Sequence, residues 1–137
     1  MKQMKLKNII PVILLVTLTF CLSAQEQTRI PGGIAMAIKA GNAAELSKYM
    51  NATVEVLLLD KEDFYKKSVA ETILNDFFDT HPTKDFTISH QGVKNDVQYA
   101  IGNLKTEKGD FRVYFLLKKV NQKLLIHQIR IETENGK

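Results

Sequence analysis

The sequence predicts an α+β domain in which helices pack on one face of an antiparallel β-sheet. Three observations lead to this class. Helical patterns occupy residues 31–50 and 68–81, a β-branched and aliphatic run lies between them, and four alternating segments follow Pro82. Consecutive strands joined by short turns pair as antiparallel neighbours, and their apolar face then needs helices to cover it.

Two short helices are predicted at the start of the domain. Pro31 suits the first turn of a helix, and Gly41 suits its end because glycine accepts the left-handed conformation there. Asn42 can cap the second helix, since its side chain can accept the backbone N–H of Glu45. Two helices in close succession are therefore expected before the first strand.

A strand, a short hairpin and a third helix are predicted next. Residues 53–59 (TVEVLLL) form a buried strand, and Phe64 and Tyr65 add a short second strand after a polar turn. The third helix opens at the capping box of residues 68–71 and ends before Pro82, which cannot continue a helix. Its apolar side carries Ile73, Leu74, Phe77 and Phe78.

The register of the last four strands follows from their turns, because a slip of one residue moves every side chain to the other face. A two-residue turn at 108–109, with glycine supplying the positive φ, sets Gly102 opposite Phe115. A three-residue loop at 120–122 then sets Phe115 opposite His127. These two pairs fix the predicted alignment of the last three strands.

This register divides the side chains of the sheet between two faces. A loop at 94–96 brings His90 opposite Ala100 and adds the first of the four strands. The face predicted to meet the core carries Phe86, Ile88, His90, Ala100, Gly102, Leu104, Phe111, Val113, Phe115, Leu117, Leu125, His127, Ile129 and Ile131. The opposite face carries Tyr99, Ile101, Asn103, Arg112, Tyr114, Leu116, Leu124, Ile126, Gln128 and Arg130.

The first 24 residues have the pattern of a secretory signal peptide. Three lysines precede an apolar run at 9–20, which is shorter than the roughly 20 residues that span a membrane. Cleavage after Ala24 leaves a short tail at 25–29 and a single domain at 30–134. The mature protein is then expected to be secreted or periplasmic, with no transmembrane span. The alternative is a lipoprotein acylated at Cys21.

Removing this leader changes the charge of the chain. The whole sequence has 19 basic and 15 acidic residues, and three of the lysines lie in the leader, which leaves 16 basic residues against 15 acidic ones. A nearly neutral domain does not favour nucleic acid as a partner. The one cysteine, Cys21, also lies in the leader. The mature chain is therefore predicted to have neither a disulfide nor thiol chemistry.

Three segments carry a resemblance to a known family. They are residues 38–60 (IKAGNAAELSKYMNATVEVLLLD), the helix at 72–78 (TILNDFF), and residues 90–119 with the ending at 126–132. They resemble the small secreted bacterial proteins of domain-of-unknown-function family 4783. With its short N-terminal helices and four-strand finish, the chain is similar to the cystatin-like cone of the nuclear-transport-factor-2 superfamily.

The resemblance implies a fold and a location. The fold is a cone-shaped, curved antiparallel sheet with N-terminal helices and with a third helix on its concave face. The location is outside the cytoplasm. The family has no assigned activity, so the resemblance implies no catalytic, cofactor-binding or metal-binding residue for this chain.

Two histidines on the predicted core face are the first candidates for chemistry. In the predicted register His90 and His127 lie three strand spacings apart, which is about 14 Å and excludes a shared metal ion. We therefore expect no metal and no cofactor, and each histidine is expected to be a partly buried residue with a local partner. The alternative for both histidines is a functional role in a cavity of the cone.

Small side chains at the centre of the core face suggest a pocket. Ala100 and Gly102 either let the third helix approach the sheet closely or leave vacant volume for an apolar ligand. In the second case the pocket is lined by Phe77, His90, Ala100, Gly102, Phe115 and His127.

The opposite face is also unusual, because apolar and aromatic residues occupy its centre. Such a face on a small domain usually has a cover, and a homodimer would supply one. The candidate interface consists of Tyr99, Tyr114, Leu116 and Ile126. The predicted register also sets Arg112 opposite Arg130, a repulsive pair unless an acid such as Glu132 or an anionic ligand lies between them.

No catalytic motif with a defined mechanism occurs in the sequence, including P-loops, nucleophile elbows and zinc-ligand spacings. The sequence therefore favours a binding or interaction module, with a small apolar ligand in the cone, and makes enzymatic activity the less expected outcome. One alternative is a small isomerase- or hydratase-like enzyme that uses His127 or His90 as its base. Another is a structural, dimeric interaction protein of the cell envelope.

Overall fold

Residues 29–135 are described by the structure, a computed structural model, so the predicted signal peptide, Cys21 and most of the tail lie outside the described residues. The helices are α1 (Gly32–Ala40), α2 (Ala43–Ser47) and α3 (Lys67–Thr80). The strands are β1 (Met50–Leu58), β2 (Lys61–Lys66), β3 (Thr83–Lys94), β4 (Val97–Thr106), β5 (Gly109–Val120) and β6 (Lys123–Thr133). This order confirms the predicted α+β succession.

The N-terminal helices end and begin as the sequence predicts. Gly41 has a φ of 63°, and its N–H donates to the carbonyl of Ile38 at 2.9 Å. The side-chain oxygen of Asn42 accepts the N–H of Glu45 at 3.0 Å. These two caps turn the chain sharply between α1 and α2, so that Ile34, Ile38 and Leu46 are all buried.

The third helix differs from the prediction at its start. It begins at Lys67, directly after the last residue of β2, and the side chain of Lys66 makes no capping hydrogen bond within the described part of the chain. Ser68 is therefore already inside the first turn, and the predicted capping box is wrong. The end is as predicted, since Thr80 is the last helical residue and Pro82 follows.

The six strands of the described residues form one mixed sheet in the order β2-β1-β6-β5-β4-β3. The last four strands are antiparallel neighbours, while β1 runs parallel to β6 and carries β2 at its edge. Helix α3 packs against β1 and β2, and α1 packs against β3. The core lies between these helices and one face of the sheet, as predicted.

The turn between β4 and β5 lies one residue earlier than predicted. Thr106 pairs with Gly109, so the two turn residues are Glu107 and Lys108. The hydroxyl of Thr106 accepts the N–H of Lys108 at 3.1 Å and donates to the carbonyl of Gly109 at 2.7 Å, which closes the turn there. The predicted pairing of Gly102 with Phe115 is therefore wrong by two residues.

This correction keeps each side chain on its predicted face, because a shift of two residues preserves the alternation. Gly102 pairs with Val113, and Ala100 pairs with Phe115. The predicted core residues of these two strands are indeed buried: Ala100, Gly102, Leu104, Phe111, Val113, Phe115 and Leu117.

Two β-bulges, one in β3 and one in β6, overturn the predicted register of these strands. In β3, Ile88 pairs with Gly102 and His90 with Ile101, so Ser89 is the extra residue. The turn after β3 consists of two residues with positive φ, Asn95 and Asp96, rather than three. Because one extra residue reverses the alternation, His90 lies exposed on the outer face and its predicted place on the core face is wrong.

The second bulge lies in β6. Leu116 pairs with Gln128 and Leu117 with Ile126, which leaves His127 as the extra residue. Ile126 is consequently fully buried, and Leu125 pairs with Lys118 on the outer side. The predicted core positions of Leu125 and His127 are therefore wrong, as are the predicted outer positions of Leu124 and Ile126. Ile129 and Ile131 are buried as predicted.

Candidate functional site

The predicted pocket over Gly102 is filled by an aromatic ring. Phe86, on the neighbouring strand, places its ring atoms where a Cβ on Gly102 would lie. The same ring meets Phe115 edge-on, with centroids 6.3 Å apart and planes at 89°. The absence of a side chain at Gly102 thus allows close packing of Phe86, and the prediction of vacant volume there is wrong.

The structure does not bring the six predicted pocket residues together. Ala100, Gly102 and Phe115 belong to the packed core, and Phe77 meets Phe111 edge-on with centroids 5.3 Å apart. His90 lies on the outer face, where its Nε2 is 3.2 Å from the hydroxyl of Tyr99. A joint site for these side chains is not formed.

A different recess lies between α3 and the β1–β2 hairpin. Its volume is about 460 Å³, within the range of small-molecule sites. Along α3, residues 73, 77 and 80 follow the three-to-four-residue spacing of one helix face, so they line the recess together. The apolar part is formed by Val56, Leu58, Leu59, Tyr65, Ile73 and Phe77, and the polar part by Lys61, Asp76, Thr80 and His81.

Each wall of the recess has a local cause. Val56 and Leu58 alternate onto the inner face of β1, and Tyr65 reaches the same face because it pairs with Val54. Opposite them, α3 turns Phe77 inward and leaves Ile73 half-buried. The recess lies where α3 packs against both strands of the hairpin, with Leu58 on β1 and Ile73 on α3 among its lining residues.

His81 is the polar residue of the recess whose ring packs against aromatic side chains. Its ring stacks on Phe77 with centroids 4.4 Å apart and planes at 18°, and it meets Phe111 edge-on at 5.2 Å. Its Nδ1 lies 3.1 Å from the carbonyl oxygen of Phe77 and 2.9 Å from the hydroxyl of Thr80. The ring is therefore held by two aromatic contacts and by the end of the helix.

These neighbours assign the proton of the His81 ring. The hydroxyl of Thr80 has acceptors for its own hydrogen at the carbonyls of Asp76 and Phe77, and a carbonyl oxygen only accepts, so we assign the ring hydrogen to Nδ1 with Phe77 as its acceptor. With the hydrogen on Nδ1 alone, Nε2 is an acceptor. From the sequence, His81 was predicted only as the end of the third helix. Its spacing of four residues from Phe77 is the signal that would have placed it beside that ring.

His127 has a separate environment at the bulge of β6. Burial lowers the pKa of its ring, and the positive charge of Lys118 lowers it further. Its Nε2 is buried and has no hydrogen-bond partner among residues 29–135. This histidine does not line the recess. The two histidines chosen from the sequence lie on β3 and β6, which are separated in the sheet by β4 and β5.

The outer face of the sheet retains an apolar centre. Tyr99, Ile101, Tyr114 and Leu116 are half-buried there and occupy neighbouring positions on β4 and β5. We call Tyr99, Ile101, Tyr114 and Leu116 the outer patch. Ile126, which was also predicted to belong to the interface, is fully buried in the core, so this assignment is wrong.

The two arginines of this face do not oppose each other. Arg112 pairs with Glu132, and Arg130 pairs with Tyr114, which corrects the predicted pairing. Arg130 also donates through Nη2 to Glu132 at 2.9 Å and lies over the Tyr114 ring at 5.7 Å. The expected neutralisation of an arginine by Glu132 is thus present.

Two carboxylates stand close together at the edge of the outer face. Glu55 on β1 and Glu62 on β2 interact, and the hydrogen bond between their side chains, helped by desolvation and mutual repulsion, raises the pKa of Glu55. Gln128 and Arg130 act in the opposite direction and lower the pKa of Glu55.

Among residues 29–135 no cluster of three or more histidine, cysteine or carboxylate side chains could hold a metal ion.

A larger groove lies at the ends of the β3–β4 and β5–β6 hairpins, with a volume of about 1290 Å³. Its walls include Arg29, Lys118 and Lys119, with Asp96 as an acidic neighbour. The helices of the described residues include none that is long and apolar enough to cross a membrane.

The fold belongs to the cystatin-like class of α+β domains. A domain of unknown function with a cystatin-like fold from Nostoc punctiforme superposes with a TM-score of 0.59 at 10% sequence identity, covering 74% of this chain and 71% of that one. At this identity the likeness concerns the fold alone. It confirms the class predicted from the order of helices and strands.

The chain is a member of the DUF4783 family, a domain of unknown function, whose model matches residues 32–132. A DUF4783 protein from Bacteroides ovatus is 38% identical, with a TM-score of 0.74 over 77% of this chain and 96% of that one. One from Bacteroides uniformis is 37% identical, with a TM-score of 0.73 over 77% and 97%. No curated protein matches the sequence significantly.

Proposed function

We propose that this protein is a binding module that holds a small apolar ligand in the recess between α3 and the β1–β2 hairpin. The observation that carries the proposal is the recess itself, about 460 Å³ of space with an apolar floor and a few polar groups at one end. Such a combination is typical of ligand sites, in which apolar walls supply affinity and few polar groups supply orientation.

We propose that the protein binds this ligand in the periplasm or outside the cell. The pattern of residues 1–24 supports it, since a basic segment, an apolar run and small residues before Gln25 are typical of a cleaved leader. In that setting the domain would bind its ligand outside the cytoplasm without the help of a disulfide.

The groups first considered for acid–base chemistry lie outside the recess. The histidines first considered as bases, His90 and His127, lie elsewhere. The carboxyl group whose pKa is raised, Glu55, lies on the outer face of the sheet rather than in the recess. These placements favour a binding module over the alternative of an isomerase- or hydratase-like enzyme.

A titration with 2-methylnaphthalene, followed by its fluorescence, tests the proposal. We expect saturable binding to the protein comprising residues 25–137 and loss of binding in Ile73→Trp, whose larger side chain fills the recess. The matched control is Val69→Trp, because Val69 lies one turn earlier on α3, is 45% exposed and does not line the recess. Equal binding by both variants, or no binding by the unchanged protein, contradicts the proposal.

A second candidate function is self-association through the outer patch. It is favoured by the contiguity of Tyr99, Ile101, Tyr114 and Leu116, which leaves an apolar and aromatic surface half-exposed at the centre of the sheet. The proposed occupant is a second copy of this chain, since a domain with 16 basic and 15 acidic residues after the leader does not repel itself strongly.

A further inference from the structure

The polar end of the recess has a defined hydrogen-bonding character. The Nδ1–H of His81 is directed to the carbonyl of Phe77, and the hydroxyl of Thr80 lies within reach of the carbonyls of Asp76 and Phe77, at 3.0 and 3.1 Å. A hydroxyl so close to two acceptors directs its hydrogen to the helix. The two donors nearest the end of α3, on His81 and Thr80, therefore bond to carbonyl oxygens of the helix itself.

The groups that remain toward the recess on this side are acceptors. They are the Nε2 of His81, in the tautomer that carries its hydrogen on Nδ1, and the carboxylate of Asp76, both on residues that line the recess. The negative end of the α3 macrodipole lies at the same place and also favours a positive or donating group. Lys61, the cation of the recess, is on the opposite wall, at the start of β2.

We propose that the recess selects apolar ligands that carry a hydroxyl group, with Nε2 of His81 accepting the hydroxyl hydrogen. This inference rests on the proposed function and specifies its ligand class. The stacking of His81 on Phe77 and its edge contact with Phe111 fix the ring before the ligand arrives. A fixed acceptor beside an apolar wall orients a ligand with little loss of side-chain entropy.

The test compares two probes of nearly equal shape, 2-naphthol and 2-methylnaphthalene. We expect the unchanged protein to bind 2-naphthol about five to ten times more tightly, which is the effect of one neutral hydrogen bond. In His81→Phe the ring can still stack on Phe77, so affinity for 2-methylnaphthalene should persist while the preference for 2-naphthol disappears. His90→Phe, which changes a histidine outside the recess, should keep the preference.

A spectroscopic measurement keeps the inference testable if His81→Phe unfolds. The chain contains three histidines, so the imidazole nitrogen resonances of His81 can be assigned in the unchanged protein by NMR. We expect Nδ1 to carry the hydrogen, and the Nε2 resonance to move on addition of 2-naphthol but not of 2-methylnaphthalene.

The outcomes separate the two proposals. Equal affinity for both probes, or a preference that survives in His81→Phe, overturns the hydroxyl assignment and leaves the apolar recess intact. If neither probe binds the unchanged protein, the recess itself fails as a ligand site, and the role of His81 fails with it.

Discussion

The ring of Phe86 lies over Gly102 on the neighbouring strand and fills the place that a side chain would take at this position. The contact joins β3 to β4 through the core, and the ring continues into an edge-on contact with Phe115 on β5. Three strands are thereby packed around one glycine. The small residue at 102 is a requirement of the packing between strands and does not mark a binding cavity.

Gly102→Ala should destabilise the domain by about 1–3 kcal/mol, because the added methyl group displaces the Phe86 ring and also crowds the carbonyl of Thr87. The free energy of unfolding is measured in urea. The matched control is Gly32→Ala in the first turn of α1, where a Cβ meets no atom within 4 Å in the described structure. Unchanged stability in Gly102→Ala would show that the core around Phe86 is loosely packed.

The alternation of apolar residues predicted the strands and most of the core, and it failed at the two bulges. Each bulge falls on two consecutive polar residues, Ser89–His90 and His127–Gln128. In β6, Leu124 and Ile126 precede such a pair, while Ile129 and Ile131 follow it in the opposite phase. A change of phase across two polar residues is thus the sequence signal of the extra residue, and a fixed period of two could not detect it.

The candidate site was harder to predict than the fold. Its lining comes from the hairpin at 56–65 and the helix at 73–81, and the distance between them depends on where α3 begins. Local sequence patterns do not fix that distance, because the capping box at 68–71 suggested a start that the strand-to-helix junction at Lys67 overrides. The gap at Gly102 was visible in sequence, but the lateral reach of the Phe86 ring was not.

If the outer patch holds two copies together, Leu116→Arg should convert a dimer into a monomer. Leu116 lies at the centre of the patch, beside Tyr99 on β4, and a charge there costs more to desolvate than the apolar contacts return. Light scattering measures the mass of the unchanged protein and of the variant at equal concentration. Met36→Arg serves as the control, because Met36 is 72% exposed on α1 and far from the patch in the fold. A monomeric unchanged protein contradicts self-association.

His127 should make the domain less stable as the pH falls. Burial and the charge of Lys118 hold the folded pKa of this ring below the ordinary histidine value of 6.5. Below pH 6.5 the unfolded chain therefore binds a proton that the folded chain refuses, so stability is present above this value and is lost as the pH falls toward the folded pKa. His127→Gln cannot take up the proton and should gain stability relative to the unchanged protein as the pH is lowered.

Urea unfolding of both proteins between pH 7.5 and 5 measures this difference. The NMR titration of the His127 ring in Lys118→Gln separates the two causes: removal of the charge should raise the pKa only in part, because burial is the larger cause. A pKa at or above 6.5 in the unchanged protein excludes the explanation.

The pair of carboxyl groups at the edge of the outer face predicts the opposite dependence on pH. The hydrogen bond to Glu62, desolvation and repulsion raise the pKa of Glu55 above 4.5 in the folded protein. Its contribution to stability is therefore complete below pH 4.5 and is lost as the pH rises through the folded pKa, where the two negative charges repel each other. Glu55→Gln replaces the protonated carboxyl group with a permanent donor to Glu62.

We therefore expect Glu55→Gln to raise the melting temperature at pH 7, and the gain to shrink as the pH approaches 4.5, where the unchanged protein protonates itself. Thermal unfolding at a series of pH values measures both effects. Glu45→Gln is the control of opposite sign, because the Glu45 carboxylate accepts from Lys48 at 2.7 Å and its neutralisation removes an attraction. A gain in Glu55→Gln that is the same at pH 4 and pH 7 would show that the substitution acts through β-sheet packing rather than through the shared proton.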